Sequence, residues 1–235
     1  MTPGSVQLIP ITGIGEVAAG DDVAAVILEA AQAASITLQN RDVVVVTHKI
    51  ISKAEGKTVV IEDEHSYRLL VESEAVSIIR RRGDLVITET RHGFICANAG
   101  VDRSNIDGGQ ALLLPDRPDR SAHEIRRHIE RETGCRVAVV VSDTFGRPWR
   151  RGVTDVAIGV SGMPAVIDLK GTADMHGRIL EVTEIAIVDE IAAAADLVMG
   201  KASGIPAAVV RGLDWPQVEG RAADLVRTAD EDLFR

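Results

Sequence analysis

Aromatic side chains are nearly missing from this chain: they make up 3% of its residues, as one tyrosine, two tryptophans and three phenylalanines. That scarcity removes the stacking platforms on which single-strand nucleic-acid binders depend. Cysteine is as rare. Cys96 and Cys135 are far apart and form no CxxC pair, so a thiolate zinc site is not expected, a reducing cytoplasm is the setting, and both thiols read as small apolar residues rather than nucleophiles. A basic excess is missing too. With 26 Lys and Arg against 35 Asp and Glu, the net charge of -9 argues against electrostatically driven nucleic-acid binding. No run approaches the roughly 20 apolar residues of a membrane span. Met1 to Gln7 has neither the basic n-region nor the apolar h-region of a signal peptide. A soluble, unexported, cytoplasmic protein with no membrane partner is expected.

Several catalytic signatures are also lacking. There is no GxxxxGK phosphate loop and no GxGxxG after a strand, and Thr12-Gly13-Ile14-Gly15-Glu16 is too weak a substitute. No HExxH motif exists, and His123 and His128 stand five apart on a helix without sharing a face. No GxSxG elbow is present.

What is present is a chain of 235 residues that is 46% hydrophobic, enough for a substantial core. The apolar content falls in short β-branched runs at Val6 to Ile11, Val43 to Val46, Leu85 to Thr88, Val137 to Val141 and Ala207 to Val210, which read as strands. The second and fourth are apolar on both faces, as strands covered on each side are. Helical period runs over Asp22 to Ala34, Tyr67 to Arg81, Ser121 to Thr133 and Glu184 to Met199. Ser121-Ala122-His123-Glu124 has the capping-box pattern that predicts a helix start at Ser121, and Gly134 a helix end. The stretch from Asp214 to Arg235 reads as a short surface helix. Strands and helices mix without a regular βαβ period, so the expected fold class is α+β, an irregular mixed α/β domain.

Three loops are dense in good ligands. Asn98-Ala99-Gly100-Val101-Asp102-Arg103-Ser104-Asn105 brings hard oxygen donors at Asp102 and Asn105 three residues apart, suited to Mg²⁺ or Mn²⁺ and equally to an Asx-turn. Ser142-Asp143-Thr144 follows an all-apolar strand, the end at which open α/β sheets place ligands, and leads into Arg147, Arg150 and Arg151. Three like charges so close suit a phosphate, or a solvated arginine patch. Gly200-Lys201-Ala202-Ser203-Gly204-Ile205-Pro206 reads as a helix end with close backbone approach to a ligand, or as a plain connection.

Taken in order, these loops carry a resemblance. With Gly20-Asp21-Asp22, Ile51-Ser52-Lys53-Ala54-Glu55-Gly56, Asp189-Glu190-Ile191-Ala192 and Val209-Val210-Arg211-Gly212, the chain resembles the coenzyme F-420-0:L-glutamate ligase family from Leu8 to about Gly212. The resemblance implies an amide-forming ligase that uses GTP, Mg²⁺ or Mn²⁺ and K⁺ to activate the phospholactyl carboxylate of F-420-0 as an acyl phosphate, which L-glutamate then attacks. It implies Asp102 and Asp143 as catalytic metal ligands, completed by Thr144, and Lys53 as a GTP phosphate contact. Other implied nucleotide contacts are Ile14, Gly15, Glu16 and Val17, His48, where many members carry serine, and Asn105. The loop from Lys201 through Ala202, Ser203, Gly204, Ile205, Pro206 and Ala207 to Ala208 completes that set. Arg147, Arg150 and Arg151 are assigned to the anionic groups of F-420-0. The resemblance further implies a family-specific fold in an intertwined homodimer. Residues 1–235 are expected to form one ligase unit, without the nitroreductase-like second domain of some members and without FMN. A metal-dependent phosphohydrolase and a non-catalytic nucleotide-binding homologue remain the alternatives.

Overall fold

A computed structural model describes residues 4–103 and 109–234. In chain order the elements are β1 (Gln7–Pro10), α1 (Val23–Ala33), β2 (Val43–Thr47), α2 (His48–Ala54), β3 (Thr58–Val60), α3 (Glu64–Glu74), β4 (Ala75–Arg82), β5 (Leu85–Thr90), β6 (Ile95–Ala97), β7 (Gln110–Leu112), α4 (Pro118–Thr133), β8 (Ala138–Gly146), β9 (Val153–Ser161), β10 (Ile167–Asp168), β11 (Glu184–Ile185), α5 (Ile187–Met199) and β12 (Ala207–Arg211). This mixture agrees with the expected α+β class.

The main sheet has the order β1-β12-β2-β8-β9. Its centre is the parallel pair β2 and β8, registered from Val43 on Ala138 to Thr47 on Ser142. Both strands were expected to be covered on each face, and Val43, Val44, Val45 and Val46 are all 0% exposed. Period-2 alternation divides them. Val44, Val46, Val139 and Val141 meet Ile27 of α1 and Ile125 and Ile129 of α4. Val43, Val45 and Val140 face Val188, Ile191 and Ala195 of α5 on the other side. Each such valine stabilises the fold by about 1.5–3 kcal/mol. Among the described residues no helix is long and apolar enough to cross a membrane.

Four sequence expectations are corrected. The helix predicted over Tyr67 to Arg81 is α3 followed by β4. Asp63 caps α3 by accepting from the Ser66 backbone N–H at 2.7 Å, and Ser66 Oγ accepts from the Asp63 N–H at 2.9 Å. Beyond Glu74 the run Val76-Ser77-Ile78-Ile79 has three β-branched residues in four and belongs to the strand that pairs with β5 instead. The helix predicted to start at Ser121 starts at Pro118, whose fixed φ suits the first helical position. Ser121 Oγ is inside that helix and donates to Glu55 Oε1 at 2.5 Å. Gly134 does end the helix, in the left-handed region at φ 72°. The helix predicted from Glu184 begins at Ile187, because Glu184 and Ile185 pair with β10. The tail from Asp214 holds no α-helix among the described residues, only a 3-10 turn at Ala222–Leu225. Trp215, 5% exposed, packs there against the α5 side of the core.

Candidate functional site

Topology brings four distant segments to one edge of the main sheet. The carboxyl ends of β2 and β8 lie side by side because the strands are parallel. β12 runs antiparallel between β1 and β2, so its entry, like the exit of β1, faces the same edge. Backbone hydrogen bonds tie the segments: Ile11 N–H to the Ala207 carbonyl and Thr47 N–H to the Pro206 carbonyl, both at 2.9 Å, and Gly20 N–H to the Ala54 carbonyl at 2.8 Å. Together they enclose a cleft of about 1140 Å³. Ligands in open α/β sheets sit outside the carboxyl ends of strands, as this cleft does.

The end of β8 presents groups to both faces. Asp143 points toward α2, where Nε2 of the buried His48 is 3.3 Å from its Oδ1. The next residue, Thr144, turns toward α5 and donates from Oγ1 to Asp155 Oδ1 at 2.5 Å, while Ser142 Oγ donates to Asp155 Oδ2 at 2.9 Å. Asp155 is the cross-strand neighbour of Thr144 on β9 and is 5% exposed. A register shift between Val141 and Ser142 sets that pairing. Lys201 Nζ donates to Thr144 Oγ1, joining the loop before β12 to the same group. Burial, and then the Asp155 charge, raise the Asp196 carboxyl above its ordinary range.

Asp102 lies outside the cleft lining and is joined to it through Lys49, which does line it. Its backbone bridges Leu112 in both directions, at 2.9 and 2.8 Å, and Lys49 Nζ meets its Oδ2 at 2.6 Å. The turn before it is strained. Asn98 and Ala99 both have positive φ, 50° and 54°, which costs about 1–2 kcal/mol per non-glycine residue. Thr88 Oγ1 accepts from the Ala99 N–H at 2.9 Å and Asn98 Oδ1 from the Val86 N–H at 3.1 Å, which hold the turn in place. Thus consecutive residues of α2, His48 and Lys49, contact Asp143 and Asp102 respectively.

The remaining expected residues divide by place. Ile14, Gly15, Glu16 and Val17 line the cleft, as do Lys53, Lys201, Ala202, Gly204, Ile205 and Pro206. Lys53 Nζ is 2.7 Å from Glu16 Oε2, so two residues expected to serve one nucleotide already touch. His48 is 1% exposed, and Ala207 and Ala208 are buried in β12 at 0%. Ser203 Oγ turns back to the Met199 carbonyl at the end of α5. Arg147, Arg150 and Arg151 are in the turn between β8 and β9, outside the cleft lining, where Arg147 Nη2 donates to the Arg151 carbonyl at 2.5 Å. Asn105 lies outside the described residues. Burial, with the Asp143 charge adding to it, pushes the Cys96 thiol up to about 12, so it is protonated and inert at neutral pH, as expected.

Sequence reading missed Lys49, Asp155 and Asp196, all of which line the cleft. The one available signal was Asp155, a carboxylate inside the otherwise strand-like run Val153 to Val160. The cleft can grip a polyanion with Lys49, Lys53 and Lys201 and offers hard oxygen ligands at Asp143, Thr144 and Asp155. Among the described residues no group of three or more His, Cys, Asp or Glu side chains is poised to hold a metal by itself.

Comparison with known proteins assigns the chain to the ligases. It belongs to the F420-0:Gamma-glutamyl ligase family, whose profile matches residues 13–68 and 65–212. A protein of Methanothermobacter thermautotrophicus named coenzyme F420:L-glutamate ligase is 41% identical, covering 98% of this chain and 99% of its own length. Proteins of the same name from Methanocaldococcus jannaschii, 42% identical over 86% of this chain and 88% of the relative, and from Methanopyrus kandleri, 40% identical over 98% of each, are also similar.

Proposed function

We propose that the chain, as one ligase unit, adds L-glutamate to the phospholactyl carboxylate of F-420-0 at the expense of GTP. The observation that carries this reading is the meeting of Lys53, Lys201, Asp143 and Thr144 in one cleft at the carboxyl end of β2 and β8, in a chain of this family.

Bringing a carboxylate to a nucleotide γ-phosphate joins two anions, so positioning and charge neutralisation dominate catalysis. Lys53, with Ile14 to Val17 and the loop from Lys201 to Ala208, holds the nucleotide, and His48 acts through Asp143. Asn105 is assigned to the nucleotide as well. Asp102, Asp143 and Thr144 provide two carboxylates and a hydroxyl, a partial shell of the kind in which Mg²⁺ or Mn²⁺ keeps water and phosphate oxygens as further ligands. When bound, such an ion neutralises phosphate charge. K⁺ is required alongside it. Arg147, Arg150 and Arg151 bind the anionic groups of F-420-0.

In the first step the substrate carboxylate attacks the γ-phosphorus, the bond to the bridging oxygen breaks, and GDP leaves. In the second, the glutamate amine attacks the acyl carbon, an amide forms, and phosphate departs with the amine proton. The active species is a homodimer. Val76, Ile78, Leu85 and Ile95, which stand exposed on the β4-β5-β6 sheet, support this as an apolar surface for a second copy. A monomer in sedimentation at micromolar concentration counts against the dimer.

Mass spectrometry of F-420-0 incubated with the protein, GTP, Mn²⁺, K⁺ and L-glutamate tests the reaction. A mass gain of one or more glutamyl units is expected. GDP release without a glutamylated product overturns ligation in favour of hydrolysis.

A further inference from the structure

Trp149 is 80% exposed in the turn between β8 and β9, whereas the other tryptophan, Trp215, is 5% exposed. In a chain so poor in aromatics, this indole offers an open planar face with a polar N–H, the kind of side chain that is enriched at binding interfaces. The ring already receives an aromatic partner. Phe234 lies with its centroid 6.1 Å from that of Trp149, tilted by 49°, and Phe234 is itself 67% exposed. Arginines at 147, 150 and 151 surround the indole in sequence.

Position relative to the cleft supplies the ruler. Thr144 lines the cleft, and β8 runs on through Phe145 to Gly146 before the turn. At about 3.3 Å per strand residue the turn begins roughly 10 Å from Thr144. F-420-0 carries its carboxylate on a lactyl phosphodiester and a ribityl chain, about ten bonds from the tricyclic ring, which extended span roughly 12 Å. With the carboxylate beside Asp143 and Thr144, the phosphodiester falls along the arginines and the ring arrives at the turn.

We propose that Trp149 is the stacking platform for the planar deazaflavin ring of F-420-0, the end of the substrate remote from the reacting carboxylate. This rests on the ligase reading and adds the residue that selects the ring. Because it binds a remote part, Trp149 acts on substrate affinity and leaves the nucleotide alone.

Steady-state glutamylation assays with Trp149→Ala and Trp149→Phe test it. Trp149→Ala is expected to raise the KM for F-420-0 on the order of tenfold, with the KM values for GTP and L-glutamate unchanged, and Trp149→Phe to restore most of the loss. Unchanged nucleotide KM also reports that the variant is folded. In parallel, equilibrium dialysis with F-420-0 alone is expected to give Trp149→Ala a correspondingly higher dissociation constant than the wild type. An active Trp149→Ala enzyme with wild-type KM for F-420-0 overturns the platform and leaves the ligase reading intact, as does a variant that changes only sedimentation. Should the wild type not glutamylate F-420-0 at all, the ligase reading falls, and the dialysis comparison alone decides whether Trp149 binds the ring.

Discussion

His48 and Asp143 meet at the edge of the main sheet with Nε2 3.3 Å from Oδ1, and the imidazole is 1% exposed. On its other side Nδ1 is 3.3 Å from Ser52 Oγ, one helical turn along α2. The imidazole is thus a spacer between a helix hydroxyl and the cleft carboxylate, and it sets the orientation of that carboxylate.

Replacing His48 by Ala therefore frees Asp143 to rotate while leaving its charge. The expected result is a half-saturating Mn²⁺ concentration raised on the order of tenfold, with smaller change in the KM for L-glutamate. A Mn²⁺ titration of activity checks this. An unshifted curve with reduced kcat points to another role for His48.

Asp143→Asn keeps shape and removes the charge. Turnover is expected to fall below detection, with a thermal midpoint close to wild type, because the residue is at the cleft wall rather than in the core. Full activity in this variant would refute a metal-ligand role.

Arg211 holds the opposite end of β12. It donates from Nε and Nη2 to the two oxygens of Asp42, at 2.8 and 2.7 Å, and Asp42 is 0% exposed. Arg211→Ala leaves that carboxylate buried with no cationic partner among the described residues and only the Gln39 N–H, at 2.8 Å, still donating to it, for a loss of about 3–5 kcal/mol in urea unfolding. Arg211→Lys recovers part of it, since an ammonium cannot reproduce the bidentate fork.

His92 makes stability depend on pH. It stacks on Phe94, and Nε2 faces the Pro115 and Asp116 carbonyls at 3.0 and 3.2 Å, so Nε2 carries the proton. Burial holds its pKa below the ordinary 6.5, although the Asp116 carbonyl and carboxylate oppose this and the neighbouring Arg91 adds to it. A lowered folded value for a base means that its stabilisation is complete above 6.5 and is lost as pH falls through the folded value. Urea midpoints measured downward from neutral pH should therefore decline sooner in wild type than in His92→Gln. Asp116, whose hydrogen bond from Lys57 lowers its carboxyl below 3.8, contributes only to a later, more acidic loss.

The central sheet was legible because Val43 to Val46 and Val137 to Val141 admit no solvent face, and Gly134 because a left-handed stop favours glycine. Ligand-dense loops pointed to Asp143, Thr144 and Lys201 for the same reason: such residues make poor cores. Asp155 escaped because it is embedded in a strand, and its partnership with Thr144 depends on a register shift that no local pattern encodes. Lys49 escaped as an unremarkable helix residue whose role comes from a bridge to Asp102, 53 positions on. The boundary between α3 and β4 was lost where a helical period ran into β-branched residues, which tertiary pairing resolved.

The placement of β12 between β1 and β2 bears on when the site comes into being. Without that late segment β1 has no neighbour in the sheet order, and the loop ending at Pro206 has nothing to close against. A chain without that segment therefore lacks the hydrogen bonds that tie Ile11 and Thr47 to Ala207 and Pro206 at the cleft. Closure demands pairing between strands nearly the whole chain apart, a slow step for entropic reasons. Any ligand that favours the closed cleft then acts on folding as well, shifting the balance toward chains that have completed that insertion.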